Sequence, residues 1–399
     1  MEGLFPRPAF TEFGPSLVAP PGTSAPLWQV EHRRASGLRA GVREMAPRRP
    51  GVYGMVDGDG RLVYVGKAKS LRARLLSYFR PHSRDRKAAT IIRHSRALVW
   101  EVGPSEFAAL LRELELIRRW RPRFNVLGQP HRHRRTYVCV GRRPAPHVFL
   151  AARPPAGVLA CYGPVPVGAR AREAVRRLND AFGLRDCPLK QLMVFADQGE
   201  FFPQVRAAGC IRHEIGTCLG PCAAACTRAA YGQRVAAVQA FLEGRDTVLL
   251  AALRGEMDGA SAGLQFERAA VLRDKLDVLE RLEGQLRRLR EARHEQSFVY
   301  PVAGEGSTEL WYLIRQGRVV RAVQGPACPA RGRVARNAVR EVFGREVPPG
   351  GTAGASEIDG VLLVASWFRQ HPEERGRALT PLQAEAACRA AARATAQGG

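Results

Sequence analysis

Residues 51–125 constrain the chain more than any other stretch. Two short apolar runs, Val52 to Val56 and Leu62 to Val65, flank Asp57-Gly58-Asp59-Gly60. Asp-Gly between alternating apolar residues is a strong hairpin signal, because the central turn positions need a positive φ that these residues tolerate. Tyr53 and Tyr64 are therefore expected on adjacent antiparallel strands. Lys67 falls on the turn that follows, and Ser70 stands where it can cap a helix over 71–79. On that helix Arg74 and Tyr78 are four apart and share a face. A second helix is expected over 105–120, with Phe107, Leu110, Leu111, Leu114 and Ile117 as its apolar stripe. Glu113 falls on the edge of that stripe, where a carboxylate can face a cleft.

The 399 residues suffice for two to three domains, and a 45% hydrophobic content allows sizeable cores. A net charge of +25 suits a polyanion, DNA or RNA first. Only five of the 62 basic residues are Lys, so a general preference for Arg accounts for part of that charge. Against this background Lys67 and Lys69 stand out. A compact ammonium and a planar guanidinium are not interchangeable at a tight site, which supports a functional Lys67. No stretch approaches the roughly 18 apolar residues of a membrane span. The N-terminus lacks the basic-then-apolar order of a signal peptide. Nine unevenly spread cysteines without an export signal argue against a disulfide framework. The expected location is the cytoplasm.

Residues 1–46 are Pro-rich with little periodicity and are expected as a flexible extension. Residues 47–130 form the domain just described. Residues 131–185 open on His131-Arg132-His133-Arg134-Arg135 and continue as a small αβ segment. That run reads as a solvated basic loop, since no further metal ligands lie near His131 and His133. Residues 186–230 hold Cys187, Cys210, Cys218, Cys222 and Cys226. Clustered thiolates in such a chain read as Zn or iron–sulfur ligands, and spacing does not separate the two. The alternative is cysteines that pack as small hydrophobes. Residues 231–292 read as helix, with Leu276, Leu279, Leu282, Leu286 and Leu289 spaced as in a coiled-coil seam. Residues 293–345 are strand-rich, and 346–399 form a helical tail with no assignable role.

Taken singly, each tyrosine of 51–125 reads as strand packing. Taken in order, Gly51-Val52-Tyr53, Tyr64-Val65-Gly66, Lys67, Arg74, Tyr78, Glu113 and Asn125 resemble the GIY-YIG nuclease domain of the UvrC excision-repair family. The resemblance implies an α+β fold: a short antiparallel sheet flanked by helices, a Cys-rich segment, a helical UVR-like hairpin and a small mixed C-terminal region. It implies a phosphodiester-hydrolysing DNA endonuclease with Mg²⁺ or Mn²⁺ on Glu113. A tyrosine would be the proton acceptor. Tyr53 and Tyr64 both stay open at this point, with the family favouring Tyr64. A free Tyr has a pKa near 10 and needs a nearby cation to act as base, a field Lys67 could supply. Arg74 would contact the scissile phosphate, Tyr53 and Tyr78 would position water or phosphate, and Asn125 would hold the geometry.

Gly216-Thr217-Cys218-Leu219-Gly220-Pro221-Cys222 is similar to the Cys-rich segment of UvrC. This implies a 4Fe–4S cluster, with Zn²⁺ as alternative, on Cys187, Cys210, Cys218 and Cys222. The string from Leu264 to Asp274 resembles the UVR motif through which UvrB and UvrC associate. By that likeness Leu264 and Phe266 anchor a UvrB-like partner, and Glu267, Arg268, Arg273 and Asp274 form the charged rim. A longer UvrC would add an RNase H-type nuclease and helix-hairpin-helix modules. The last 74 residues are too few for them, so a truncated form is expected. The implied reaction is a single 3′ incision beside a lesion in damaged duplex DNA. The alternatives are a non-catalytic adaptor that binds DNA and UvrB, and a structure-specific nuclease outside repair.

Overall fold

The computed structural model describes residues 9–20, 23, 25–80, 86–125, 135–188, 190–198, 210–304, 308–344 and 357–393. His131 and His133 lie outside them. The chain divides into two compact units: Met1–His133 with Ala292–Pro348 and Asp359–Gly399, and Arg134–Glu291 with Pro349–Ile358.

The first unit opens with β1 (Trp28–Glu31), α1 (Ala35–Met45), β2 (Gly51–Asp57), β3 (Leu62–Ala68), α2 (Leu71–Ser77), α3 (Arg86–His94), β4 (Ser95–Val102) and α4 (Glu106–Trp120). The strands form one antiparallel sheet in the order β1-β4-β2-β3. The central strand β2 is buried on both faces along nearly its whole length. Tyr53, Met55 and Trp100 face α1 and α2 through Leu38, Val42, Leu71 and Leu75. Val52, Val65 and Val99 face α4 through Ala109, Leu116 and Ile117. Helices therefore cover both faces of the hairpin that carries the two tyrosines.

Two glycines explain why the motif tolerates nothing larger. A Cβ on Gly51 would lie 2.2 Å from the Glu101 carbonyl oxygen, and one on Gly66 would lie 2.4 Å from the Tyr53 hydroxyl. The second keeps the space in which the Tyr53 hydroxyl works. Ser105 caps α4 by accepting from the Ala108 amide, 3.0 Å away. Ser70 precedes α2, but its side chain makes no cap bond.

The expected flexible extension is corrected by the structure. β1 pairs with β4 so that Trp28 stands opposite Trp100, and Phe13 is fully buried. Arg112 explains the strap at 13–17. Its guanidinium lies 3.1 Å from Glu101 and 3.0 Å from Glu115, and it also donates to the carbonyls of Gly14 and Pro15. Glu115 in turn accepts from Ser16 Oγ and the Leu17 amide. Removing one partner of a buried ion pair strands the other. Arg112→Leu should therefore lower stability in urea by about 3 kcal/mol at pH 8. The deficit should shrink as pH falls, because burial raises the Glu101 carboxyl.

The second unit holds β5 (Arg135–Val140), β6 (Val148–Ala151) and β7 (Ala160–Pro166) as a sheet ordered β6-β5-β7, then α5 (Ala169–Ala181) and α6 (Ile211–Glu214). α7 (Arg228–Leu242), α8 (Val248–Ala262) and α9 (Phe266–His294) follow. Leu276, Leu279, Leu282 and Leu286 of α9 join Tyr231, Val238 and Phe241 of α7 in one core, so the expected seam is a buried stripe.

The first unit closes with β8 (Phe298–Ala303), β9 (Glu309–Arg315) and β10 (Arg318–Gln324), ordered β10-β9-β8, and α10 (Pro329–Phe343), α11 (Ile358–Gln370), α12 (Pro372–Arg375) and α13 (Pro381–Arg393). These elements reach α4. Phe107 is fully buried and meets Tyr300, Tyr312, Trp367 and Phe368 with ring centroids 5.1 to 6.0 Å away. Among the described residues no helix is long and apolar enough to cross a membrane.

Candidate active site

Five of the expected side chains line one cleft of about 680 Å³: Tyr53, Tyr64, Lys67, Arg74 and Glu113. The hairpin register brings this about. Met55 pairs with Tyr64, so Tyr53, two residues earlier, lies on the same sheet face as Tyr64 and diagonal to it. Their ring centroids are 6.2 Å apart. Tyr78, just after α2, completes a cluster at 6.0 Å from Tyr53 and 6.3 Å from Tyr64.

The three phenols differ in environment. The Tyr53 and Tyr78 hydroxyls share a 2.9 Å hydrogen bond, and Arg74 Nε donates to Tyr53 Oη at 3.2 Å. The Arg74 guanidinium also lies 5.2 Å over the Tyr78 ring. Burial drives both Tyr53 and Tyr78 well above the ordinary phenol range, and neighbouring phenols add to it. Tyr64 is only partly buried and faces the cleft.

Glu113 comes from α4, on the edge of the buried stripe. Its Oε1 accepts the Lys67 backbone amide at 3.2 Å. Burial pushes its carboxyl up to about 7, against the pull of that amide and of the Lys67 and Arg74 charges. No ammonium or guanidinium is ion-paired to it among the described residues. A desolvated carboxylate lacking a direct cationic partner fits a divalent ion. Mg²⁺ keeps most of its waters and needs only one or two protein carboxylates.

One expectation changes. Lys67 lies within β3, not on a turn, and its ammonium is 2.6 Å from Glu106 on the first turn of α4. That ammonium therefore ties β3 to α4. Asn125 does not line the cleft. Its buried side-chain amide accepts from the Val65 N–H at 2.9 Å and donates to the Val65 carbonyl at 2.8 Å. It acts as a one-residue strand neighbour for β3, the sheet's edge strand. Glu106 was missed because its partner is 39 residues away. Lys87, whose Nζ lies 5.8 Å over the Tyr64 ring, was missed because it follows no motif.

The chain matches the UvrC-like GIY-YIG domain over residues 49–126, the UvrC/Cho excinuclease middle domain over 136–241 and the UvrB/uvrC motif over 247–282. Over residues 49–282 this is a UvrC-type chain. The UvrABC system protein C of Saccharophagus degradans is 33% identical over 274 residues, 68% of this chain and 42% of that protein. Those of Moorella thermoacetica and Desulforudis audaxviator are 30% and 32% identical, over 81% and 83% of this chain and 52% and 48% of theirs. The chain thus spans about half the length, or less, of the curated relatives it matches. A solved structure of the GIY-YIG N-terminal endonuclease domain of UvrC from Thermotoga maritima, bound to magnesium, is 36% identical. It covers 22% of this chain and 96% of that one, with a TM-score of 0.21.

The UvrB/uvrC motif falls on α8 and the first half of α9. Leu264 and Phe266 at the tip are 73% and 65% exposed. Glu267, Arg268, Arg273 and Asp274 are exposed beside them. The UvrC-like Cys segment, by contrast, does not assemble a metal site. Among the described residues no three His, Cys, Asp or Glu side chains converge as a metal requires. Cys226 is part of the second unit's core, and Cys187 and Cys222 pack against it. Burial, reinforced by neighbouring thiols, raises Cys218 and Cys222, and takes Cys226 to about 11. Cys187, Cys210 and Cys222 are nevertheless the thiols whose charges act on Cys218, so the four expected ligands are neighbours in the fold without the convergence of a metal site.

Proposed function

We propose that this chain is a metal-dependent DNA endonuclease of nucleotide excision repair, cutting one strand on the 3′ side of a lesion together with a UvrB-like partner. The supporting observation is the single cleft that gathers Tyr53, Tyr64, Lys67, Arg74 and Glu113. A DNA substrate and a charge of +25 suit a cytoplasmic protein held to phosphates by Arg and Lys.

Tyr64 is the proton acceptor in this reading, because it alone of the three phenols is partly open to the cleft. Water attacking phosphorus gives its proton to Tyr64 acting as the phenolate, while the bond from phosphorus to the departing oxygen breaks. Arg74 meets the charge that develops on the phosphoryl oxygens. Tyr53 and Tyr78 hold Arg74: Tyr53 takes its Nε, which leaves the terminal nitrogens for the phosphate. Glu113 would hold Mg²⁺ or Mn²⁺, which supplies Lewis-acid stabilisation of the phosphoryl charge and the departing oxygen. Lys67 ties β3 to α4 at both ends, by its amide to Glu113 and its ammonium to Glu106. Asn125 fixes β3 from the other edge.

The test is incision of an end-labelled, lesion-containing duplex with Mg²⁺ and the two upstream repair proteins. A 3′ nick from the wild type, absent from Glu113→Ala and Tyr64→Phe, supports the reading. No nick from a wild type that still binds DNA and UvrB would leave an adaptor. Recruitment is tested separately. Phe266→Ala should weaken UvrB binding roughly 30-fold, as for an exposed aromatic anchor. Its urea midpoint should not move, because the ring is 65% exposed in the free chain.

A further inference from the structure

Two cysteines that serve neither the cleft nor the Cys218 neighbourhood face each other across β5 and β7. We propose that Cys139 and Cys161 form a reversible cross-strand disulfide, a thiol pair in the second unit that exchanges with small-molecule disulfides. The strand register sets Cys139 of β5 directly opposite Cys161 of β7. Their Sγ atoms are 2.7 Å apart. Directly opposite residues of an antiparallel pair have Cα atoms about 4.5–5.5 Å apart, inside the roughly 4.4–6.8 Å that a disulfide spans. The strands therefore already stand at the separation the bond needs.

The two thiols differ in access. Val138 and Val140 belong to the second unit's core, so Cys139 between them lies on the other face of the sheet. Cys139 is fully buried. Cys161 is only half-buried, at the start of β7 and shortly after the exposed residues 152–157. A reagent arriving from solvent therefore meets Cys161 first. Burial and the facing thiol hold Cys139 well above the ordinary thiol range, which also makes it the second of the two to react.

The chemistry is two successive exchanges. Cys161, as thiolate, attacks one sulfur of a small disulfide such as oxidised glutathione. The other half leaves as a thiolate and takes the proton that Cys161 gave up. Cys139 then loses its proton and attacks the Cys161 sulfur of the mixed disulfide, and the second glutathione leaves and is protonated. Two protein thiols lose two electrons, and one small disulfide becomes two thiols. The alternative is a pair of thiols that only pack as small hydrophobes. The two differ in whether the folded chain favours the bond.

The test equilibrates the full wild-type chain in glutathione buffers of graded redox ratio, folded in one series and unfolded in urea in the other. Each sample is quenched in acid, alkylated and digested with trypsin. Trypsin does not cut before Pro, so Cys139 falls on peptide 136–142 and Cys161 on peptide 143–170. The mass of the two peptides joined reports this bond apart from those of the other seven cysteines. The folded chain should be half-linked at a ratio of [GSH]² to [GSSG] at least roughly tenfold higher than the unfolded chain, because the fold has already brought the sulfurs together. Equal ratios, or a folded chain that links less readily, would overturn the proposal, as would either cysteine joined to a different one. The order of attack has its own readout. In Cys139→Ala, peptide 143–170 should carry glutathione, since the second exchange cannot follow. The same peptide recovered without glutathione would overturn the entry through Cys161.

Discussion

Replacing Glu113 with Gln should abolish strand cleavage and at the same time make the metal-free protein more stable at pH 8. The side chain keeps its shape, and the amide oxygen can still accept from the Lys67 N–H. What is lost is the charge. Burial places the carboxyl at about 7 in the folded chain, above the roughly 4.3 of an exposed Glu. The sign follows from linkage. Between those values the folded state binds the proton and the unfolded state does not, so stability falls as pH rises from about 4.3 to about 7. The Gln variant lacks that slope. At pH 8 it should exceed wild type by about 2–3 kcal/mol in urea unfolding without metal, and at pH 4 the two should converge. Saturating Mg²⁺ should reverse the order, because only the carboxylate gains from binding the ion. Cleavage should drop roughly 1,000-fold, the share of the barrier carried by a metal and its ligand. Wild-type cleavage should also decline as pH falls through 7, where the proton competes for the ligand. A variant no more stable than wild type at pH 8 would mean that Glu113 is solvated, not held desolvated for a cation.

How much of this was legible depends on whether the determining contact is local. The β2–β3 hairpin was readable because Asp57-Gly58-Asp59-Gly60 makes its own turn, with Gly60 at φ +73° and Asp57 Oδ1 accepting from the Asp59 and Arg61 amides. α4 was readable because its stripe repeats at helical spacing and Ser105 caps it. Together with α2 they place Tyr53, Tyr64, Arg74 and Glu113 in one cleft, so the centre could be assembled from three short signals. β1 carries no such signal. It is a strand because Trp28 pairs with Trp100, 72 positions away, and because Arg112 ties down Gly14 and Pro15. A Pro-rich stretch looks disordered until its partner is known. Lys67 was misplaced for the same reason: Ala68 still pairs with Gly51, so the strand runs past the expected turn. Cysteine spacing gathers Cys187, Cys210, Cys218 and Cys222 as neighbours, but it does not reveal that Cys187 and Cys222 also pack against the second unit's core.

The choice between the tyrosines lies in burial, which the sequence leaves open, and it gives the second large effect. Tyr64→Phe should lower single-turnover cleavage by roughly 100- to 10,000-fold, the range for removing a general base. It should leave stability nearly unchanged, because the Tyr64 hydroxyl is only partly buried and the ring keeps its contacts with Tyr53 and Tyr78. Tyr53→Phe should behave in the reverse way. It removes the acceptor of Arg74 Nε and leaves the buried Tyr78 hydroxyl without its 2.9 Å partner. A buried polar group deprived of its bond costs about 1–3 kcal/mol, so the Tyr53 variant should unfold at lower urea. Its cleavage should fall only about tenfold, through a looser Arg74 rather than a missing base. The two hydroxyls thus separate on two axes, rate for Tyr64 and stability for Tyr53. If the large rate loss and the large stability loss both fell on Tyr53, the acceptor would be the buried phenol, and the cleft would have to open around Tyr53 before it could take a proton from water.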